Sequence, residues 1–177
     1  MTDLTPTMKE FVLHWGEMGA KWGVNRTVAQ IHALLFLTPK PLNAEEIADT
    51  LAVARSNVSN SLRELQGWGI VRVVHVMGER RDHYESMKDV WEMFQIILDE
   101  RKKRECDPTL AMLRRIHEEA KKGGAKEAFV RDRVGDMLAF FETMSSWYGN
   151  IRRLPAGGMV RFAKMGEKIR KLLGAEA

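Results

Sequence analysis

The chain has 177 residues, of which 45% are hydrophobic, so it is long enough for one large domain or two small ones with packed cores. Its formal net charge is only +4, so affinity for a polyanion would have to come from local basic patches. The longest wholly apolar run, residues 33–37, is far too short for a membrane span, and the single cysteine excludes an intramolecular disulfide framework. Because charges separate the first apolar residues, no signal peptide is indicated, and we expect a cytoplasmic protein with no membrane partner.

Two amphipathic helices are predicted in the first 40 residues. Thr5, followed by proline, is typical of a helix start, and apolar residues then recur at three- and four-residue spacing up to Trp22. Asn25 is suited to cap a second helix, which the Thr-Pro pair ending at Pro39 would terminate.

A helix-turn-helix is predicted over residues 42–66. Asn43 and Glu46 form an N-x-x-E pair, which is typical of the capping box that opens a helix, and this helix is predicted over residues 42–51. The second helix is predicted over residues 55–66, where valine and leucine recur at helical spacing on one face.

A β-hairpin is predicted directly after the second helix. Gly69 suits the left-handed residue that ends such a helix. Residues 70–77 are β-branched and hydrophobic enough for a strand, and residues 83–86 would be its return partner around a tip at residues 78–82. Valines occur at both odd and even positions of the first strand, so the alternation of side chains does not show which face of the hairpin is buried.

The outer face of the second helix carries side chains suited to reading DNA. Asparagine and arginine make bidentate contacts with base edges, and serine is small enough to approach a base or a phosphate closely. Serine and asparagine are mediocre helix formers, so their clustering here is better explained by DNA contact than by an ordinary surface helix. The predicted DNA-binding residues of this helix are Arg55, Ser56, Asn57, Ser59, Asn60 and Arg63.

The hairpin tip is a second candidate DNA contact. Arg80 and Arg81 are able to enter a minor groove, and Asp82 is predicted to orient a guanidinium by bridging to it. The alternative is a solvated turn, since turn residues are mostly polar. A polar-faced helix followed by an arginine-tipped hairpin offers one contact element for each groove, which favours double-stranded DNA as the partner.

Beyond residue 88 the pattern is entirely helical. The Asp-Pro pair at 107–108 is predicted to break one helix, and the Gly-Gly pair at 123–124 to end the next. A long helix up to Pro155 and a short basic helix over roughly residues 158–173 are predicted to follow.

The expected fold is therefore mainly α-helical with a small β-hairpin wing. Residues 1–90 would form a winged helix-turn-helix DNA-binding domain. Residues 91–177 would form a helical dimerisation region, which is also the candidate region for an effector site.

Aromatic and methionine side chains at helical spacing in the long helix have two interpretations. Aromatic boxes bind cations, but helical spacing favours packing in a core or a dimer seam. The first helix carries more large apolar residues than a peripheral helix needs, and part of it is expected to face a second protomer. The predicted dimer contacts are Phe11, Trp15, Met137, Phe140, Met144 and Trp147.

No catalytic or metal site is predicted, and no cofactor is expected. The five histidines show no metal-ligand spacing, and no complete zinc-protease, dinucleotide-binding or phosphate-loop motif occurs. A helical enzyme would need a cluster of titratable residues that the sequence does not show. Cys106, flanked by charged residues, has two interpretations, an inert thiol or a redox sensor.

These motifs resemble those of a known family. Residues 42–51, 58–65 and 69–71, with the Gly-Glu-Arg-Arg-Asp tip, resemble the MarR superfamily of transcription regulators. The N-terminal Trp-Gly segments, residues 25–31 and the long helical C-terminal region are more similar to its glycine-betaine-synthesis-regulator (GbsR) branch.

The resemblance implies a homodimer that binds a roughly palindromic operator, usually as a repressor, and often one that a small ligand releases. The family commonly has serine at the start of the recognition helix, where this chain has Ala54, so a cap worth about 1 kcal/mol is missing. The alternative is a winged-helix module that binds protein and has no salt-dependent affinity for DNA.

Overall fold

The computed structural model describes residues 3–154 and 157–166, and the chain divides into two compact units, Met1–Ile96 and Ile97–Ala177. The elements of the first unit are α1 (Pro6–Lys21), α2 (Arg26–Leu37), β1 (Leu42–Asn43), α3 (Ala44–Leu51), α4 (Arg55–Gly67), β2 (Val71–Val74) and β3 (His83–Ser86). This arrangement confirms the predicted winged helix-turn-helix.

The division between the units falls inside α5 (Val90–Arg101), so the second unit begins with the last part of this helix. Its further elements are a π-helical turn (Lys102–Cys106), α6 (Asp107–Lys122), a 3₁₀ turn (Gly124–Glu127), α7 (Ala128–Arg152) and α8 (Gly158–Lys164). The predicted basic helix is present as α8, and residues 167–173 of that prediction lie outside the described residues. Among the described residues, no helix combines the length and apolar character needed to cross a membrane.

Local capping signals set the helix starts of the first unit. The hydroxyl of Thr5 accepts a hydrogen bond from the Met8 amide, and the Asn25 side chain accepts bonds from the first turn of α2. Asn43 and Glu46 form the complete capping box of α3. All three predicted caps are therefore confirmed.

A three-stranded antiparallel sheet, in the order β1-β3-β2, flanks the helices. The sequence placed Leu42 in the third helix, but Leu42 is in β1 and pairs with Tyr84 of β3. The reason is that Asn43 caps α3 with extended backbone, so the residues before the helix can join the sheet. Val71 of β2 is buried, whereas Arg72 is exposed and pairs with Glu85. The face of the hairpin that carries Val71 is therefore the buried one.

The core of the first unit lies where α2, α3, α4 and the start of the hairpin meet. The most deeply buried large side chains are Val58, Ile31, Leu34, Leu35, Ile47, Leu62, Leu65 and Ile70. Gly19 of α1 allows α2 to pack closely, because a Cβ there would lie 2.5 Å from the Cβ of Ala29. This core holds α4 in place and leaves its opposite face to solvent.

In the second unit, α6 and α7 form an antiparallel hairpin. The ion pair between Arg114 and Glu142, and the contact between His117 Nδ1 and the Arg131 carbonyl, join the two helices. The prediction that the Asp-Pro pair breaks the chain's helical course is wrong. A π-helical turn carries the chain into α6, and Pro108 lies in the first turn of α6.

Candidate nucleic-acid interface

The recognition-helix candidate, α4, has one buried face and one exposed polar face. Val58, Ser61, Leu62 and Leu65 are buried. The predicted DNA-binding residues Arg55, Ser56, Asn57, Ser59, Asn60 and Arg63 are all exposed. The helix therefore presents these polar side chains together, without any of them being needed for the core.

Two features of α4 bear on how it would meet a ligand. Arg63 Nη1 donates a hydrogen bond to Asn60 Oδ1 at 3.2 Å, which brings a donor-rich guanidinium and an amide side by side on the exposed face. At the start of the helix, Ala54 has no side-chain acceptor, so no N-cap side chain accepts a bond from the first-turn amides. Such amides are suited to contact phosphate oxygens.

The wing tip separates its two arginines into different environments. Arg80 is exposed and has no hydrogen-bond or ionic partner among the described residues. Arg81 donates to Glu79 and to Glu45, at 3.3 and 3.1 Å for the two ion pairs. The hydrogen bond and charge of Glu79, followed by those of Glu45, raise the pKa of the Arg81 guanidinium above its ordinary value.

The predicted role of Asp82 as the residue that orients an arginine is not what the structure shows. Asp82 Oδ1 lies 3.8 Å from His75 Nδ1, across the base of the tip, whereas Glu79 and Glu45 hold Arg81. The proximity of Glu79 along the chain could have indicated the first contact. The contact with Glu45 spans 36 residues and had no signal in the sequence.

A cleft of about 260 Å³ lies between the start of α3, helix α4 and the wing. Its lining residues are Asn43, Ala44, Glu45, Arg55, Ser59, Arg81, Asp82 and Tyr84. The fold thus brings predicted contact residues from α4 and from the wing to one surface. Glu45 and Tyr84, which the sequence did not single out, complete it.

The predicted dimer contacts are at least partly accessible in the single chain. Phe11 and Trp15 of α1 are half-buried and stack with their ring centroids 5.4 Å apart. On α7, Met137, Phe140, Met144 and Trp147 are exposed, with Phe140 at 59% and Trp147 at 49%. The α7 side chains therefore do not form the core of the single chain.

An apolar groove of about 420 Å³ adjoins this part of α7. Phe140, Phe141, Met144 and Trp147 supply aromatic and thioether surface to the groove, and the exposed Cys106 also lines it. Nearby, Tyr148 and Arg152 hydrogen-bond Asp99, and although burial opposes ionisation, these bonds lower the pKa of Asp99. Among the described residues, no group of three or more histidine, cysteine or acidic side chains could hold a metal ion.

Known proteins similar to this chain are regulators by name. A solved structure titled as a transcriptional regulator is 20% identical and superposes with a TM-score of 0.56, over 83% of this chain and 96% of the other, which supports the fold. YvaV of Bacillus subtilis (strain 168), whose name describes an HTH-type transcriptional regulator, is 22% identical over 94 residues. That match spans about half the length of each protein, 53% of both. A model of the MarR family matches residues 22–82, the segment that contains the helix-turn-helix and most of the hairpin.

Proposed function

We propose that this chain is a sequence-specific DNA-binding regulator of transcription that acts as a homodimer on a palindromic operator. The observation that carries the proposal is the exposed face of α4, on which six polar side chains stand beside a wing with two arginines. A helix and a hairpin at one surface match the two grooves of a duplex. The MarR-family match of residues 22–82 supports the same reading.

The contacts divide by chemistry. Asn57, Asn60 and Arg63 have the donor and acceptor pattern that reads base edges in a major groove. Arg55, Ser56 and Ser59 lie in the first turns of α4, where they and the backbone amides at the helix start would contact phosphates. The wing arginines, Arg80 and Arg81, would lie at the neighbouring minor groove and within reach of the phosphates that flank it.

The exposed apolar face of α7 supports the homodimer. Monomeric proteins rarely expose a large apolar patch, and burial against a second copy of the chain would remove these side chains from water. A two-fold dimer would place two recognition helices about 34–36 Å apart, which matches successive major grooves on one side of a duplex. The apolar residues of α1 are the second candidate for this interface.

We further propose that the chain belongs to the GbsR-like branch, that it represses transcription, and that a small ligand releases it from DNA. The apolar groove beside α7 is the candidate site for such a ligand if the second copy leaves it open.

Base reading is tested by selecting bound sequences from a random DNA pool and measuring variants on the selected operator and on random DNA. Asn60→Ala and Arg63→Ala should each weaken operator binding by about 1–3 kcal/mol and leave random-sequence binding nearly unchanged. Gln66→Ala, at an exposed position in the last turn of the same helix, is the matched control. Equal losses on both DNAs would mean that these residues contact only the backbone, and absence of any salt-dependent DNA affinity would favour a protein-binding module.

Assembly is tested by sedimentation at micromolar concentration. The wild-type chain should sediment at about twice its mass, and Phe140→Glu should shift it toward one chain mass, because a carboxylate cannot be buried unpaired in an apolar interface. DNA affinity should fall in the same variant, since each monomer keeps only one half-site. Ser146→Glu adds the same charge at an exposed position on another side of α7 and should leave the dimer intact. A monomeric wild type that binds a palindrome tightly would contradict the proposal.

A further inference from the structure

The guanidinium of Arg81 is shared by two carboxylates from different parts of the first unit. Its Nη1 donates to Glu45 Oε2 at 3.1 Å, and its Nε and Nη2 both donate to Glu79 Oε2. Glu79 belongs to the same turn as Arg81, so that pair is local. Glu45 lies in the first turn of α3, so its ion pair ties the wing tip to the helix-turn-helix.

The capping of α3 does not account for the side chain of Glu45. Glu46 is the member of the capping box, and its Oε2 accepts the bond from the Asn43 amide at 2.8 Å. The helix dipole favours any acidic residue in this turn, yet the Glu45 carboxylate turns to the wing and ends in the cleft that Arg55, Ser59 and Arg81 also line.

That cleft separates the two elements to which we assign DNA contact. When a recognition helix occupies a major groove and a wing occupies the neighbouring minor groove, the sugar-phosphate backbone between the grooves must pass between them. The Glu45 carboxylate is therefore directed toward a position where a phosphate would approach. Phosphate and Glu45 carry the same sign of charge and compete for the same donor.

We propose that Glu45 is a positioning residue that competes with the DNA backbone for Arg81. In the free protein it holds the wing arginine against α3, and a bound duplex must displace it before Arg81 can donate to a phosphate. This inference rests on the proposed function. Glu45 would lower the affinity for DNA, and it would do so through Arg81.

The test measures binding of the full-length chain to a random-sequence duplex by fluorescence anisotropy at one fixed salt concentration. Glu45→Gln should bind about two- to fivefold more tightly than wild type, the range that loss of an exposed ion pair permits. If Glu45 only stabilised the fold, Glu45→Gln should weaken DNA binding and not strengthen it. Asp49→Asn is the matched control, because Asp49 is exposed one turn further along α3 and does not line the cleft.

The same substitution in an Arg81→Ala background separates the mechanism from general charge repulsion. If Glu45 acts through Arg81, the double variant should bind no more tightly than Arg81→Ala alone. An equal gain in both backgrounds, or no gain in the wild-type background, would overturn the inference. Wild-type protein that binds no DNA would instead overturn the proposed function, so the two failures are distinguishable. Thermal unfolding of each variant verifies that all are folded.

Discussion

The buried histidine of α2 makes a quantitative prediction about acid stability. His32 is only 5% exposed, and its Nε2 has no hydrogen-bond partner among the described residues. Burial, followed by the charge of Lys88, lowers the pKa of His32 from 6.5 to about 4. The native first unit therefore holds this ring neutral over a range in which the unfolded chain would protonate it.

The difference between the pKa of His32 in the native and the unfolded state sets the direction and the size of the change in the free energy of unfolding. Above pH 6.5 both states are neutral and the contribution of His32 to stability is complete. As the pH falls toward 4, the unfolded state gains a proton that the native state does not, so the free energy of unfolding decreases. The gap between 6.5 and about 4, at 1.36 kcal/mol per pH unit, corresponds to a loss of about 3 kcal/mol.

The assay is urea denaturation followed by tryptophan fluorescence between pH 7.5 and 4. The comparison is with His32→Leu, which keeps an apolar side chain of similar size and removes the titration. The stability difference between wild type and this variant should change by about 3 kcal/mol across the range, in the direction that disfavours wild type at low pH. His14→Gln, on the exposed side of α1, is the control and should keep the wild-type profile. Parallel profiles for wild type and His32→Leu would refute the reasoning.

Three further changes test the local structure of the first unit by chemical denaturation. Lys88 Nζ donates to the carbonyls of Leu35, Phe36 and Thr38 at the end of α2. Lys88→Met should therefore lower the free energy of unfolding by about 1–2 kcal/mol. Lys88→Arg keeps a cationic donor and should lower it by less. Asn43→Ala removes the cap of α3 and should destabilise by about 1–2 kcal/mol, and an unchanged midpoint would contradict the role of the capping box. Ala54→Ser adds the missing cap of α4 at a residue with extended backbone, and it should stabilise by up to about 1 kcal/mol; a loss of stability would show that the serine cannot reach the helix amides.

Helix starts and the polar face of α4 were predictable from the sequence, because each depends on residues within one or two turns. A cap such as Asn25 bonds to amides two and three residues away, so the short-range pattern contains the whole interaction. Gly69, with φ of 78°, likewise ends its helix through its own backbone freedom. The alternation of buried and exposed residues in α4 follows from the helical period alone.

Contacts between distant residues required the tertiary structure. Leu42 pairs with Tyr84 only because the folded chain brings β3 beside the start of α3, so no local pattern distinguished this strand from the helix that follows. Pro108 does not interrupt the helical path of the chain, because the π-helical turn directly before it runs on into α6. The partner of Arg81 was decided in the same way. Asp82 is its neighbour in sequence, yet a guanidinium has several donors and a long stem, and the fold places Glu45 of α3 within their reach.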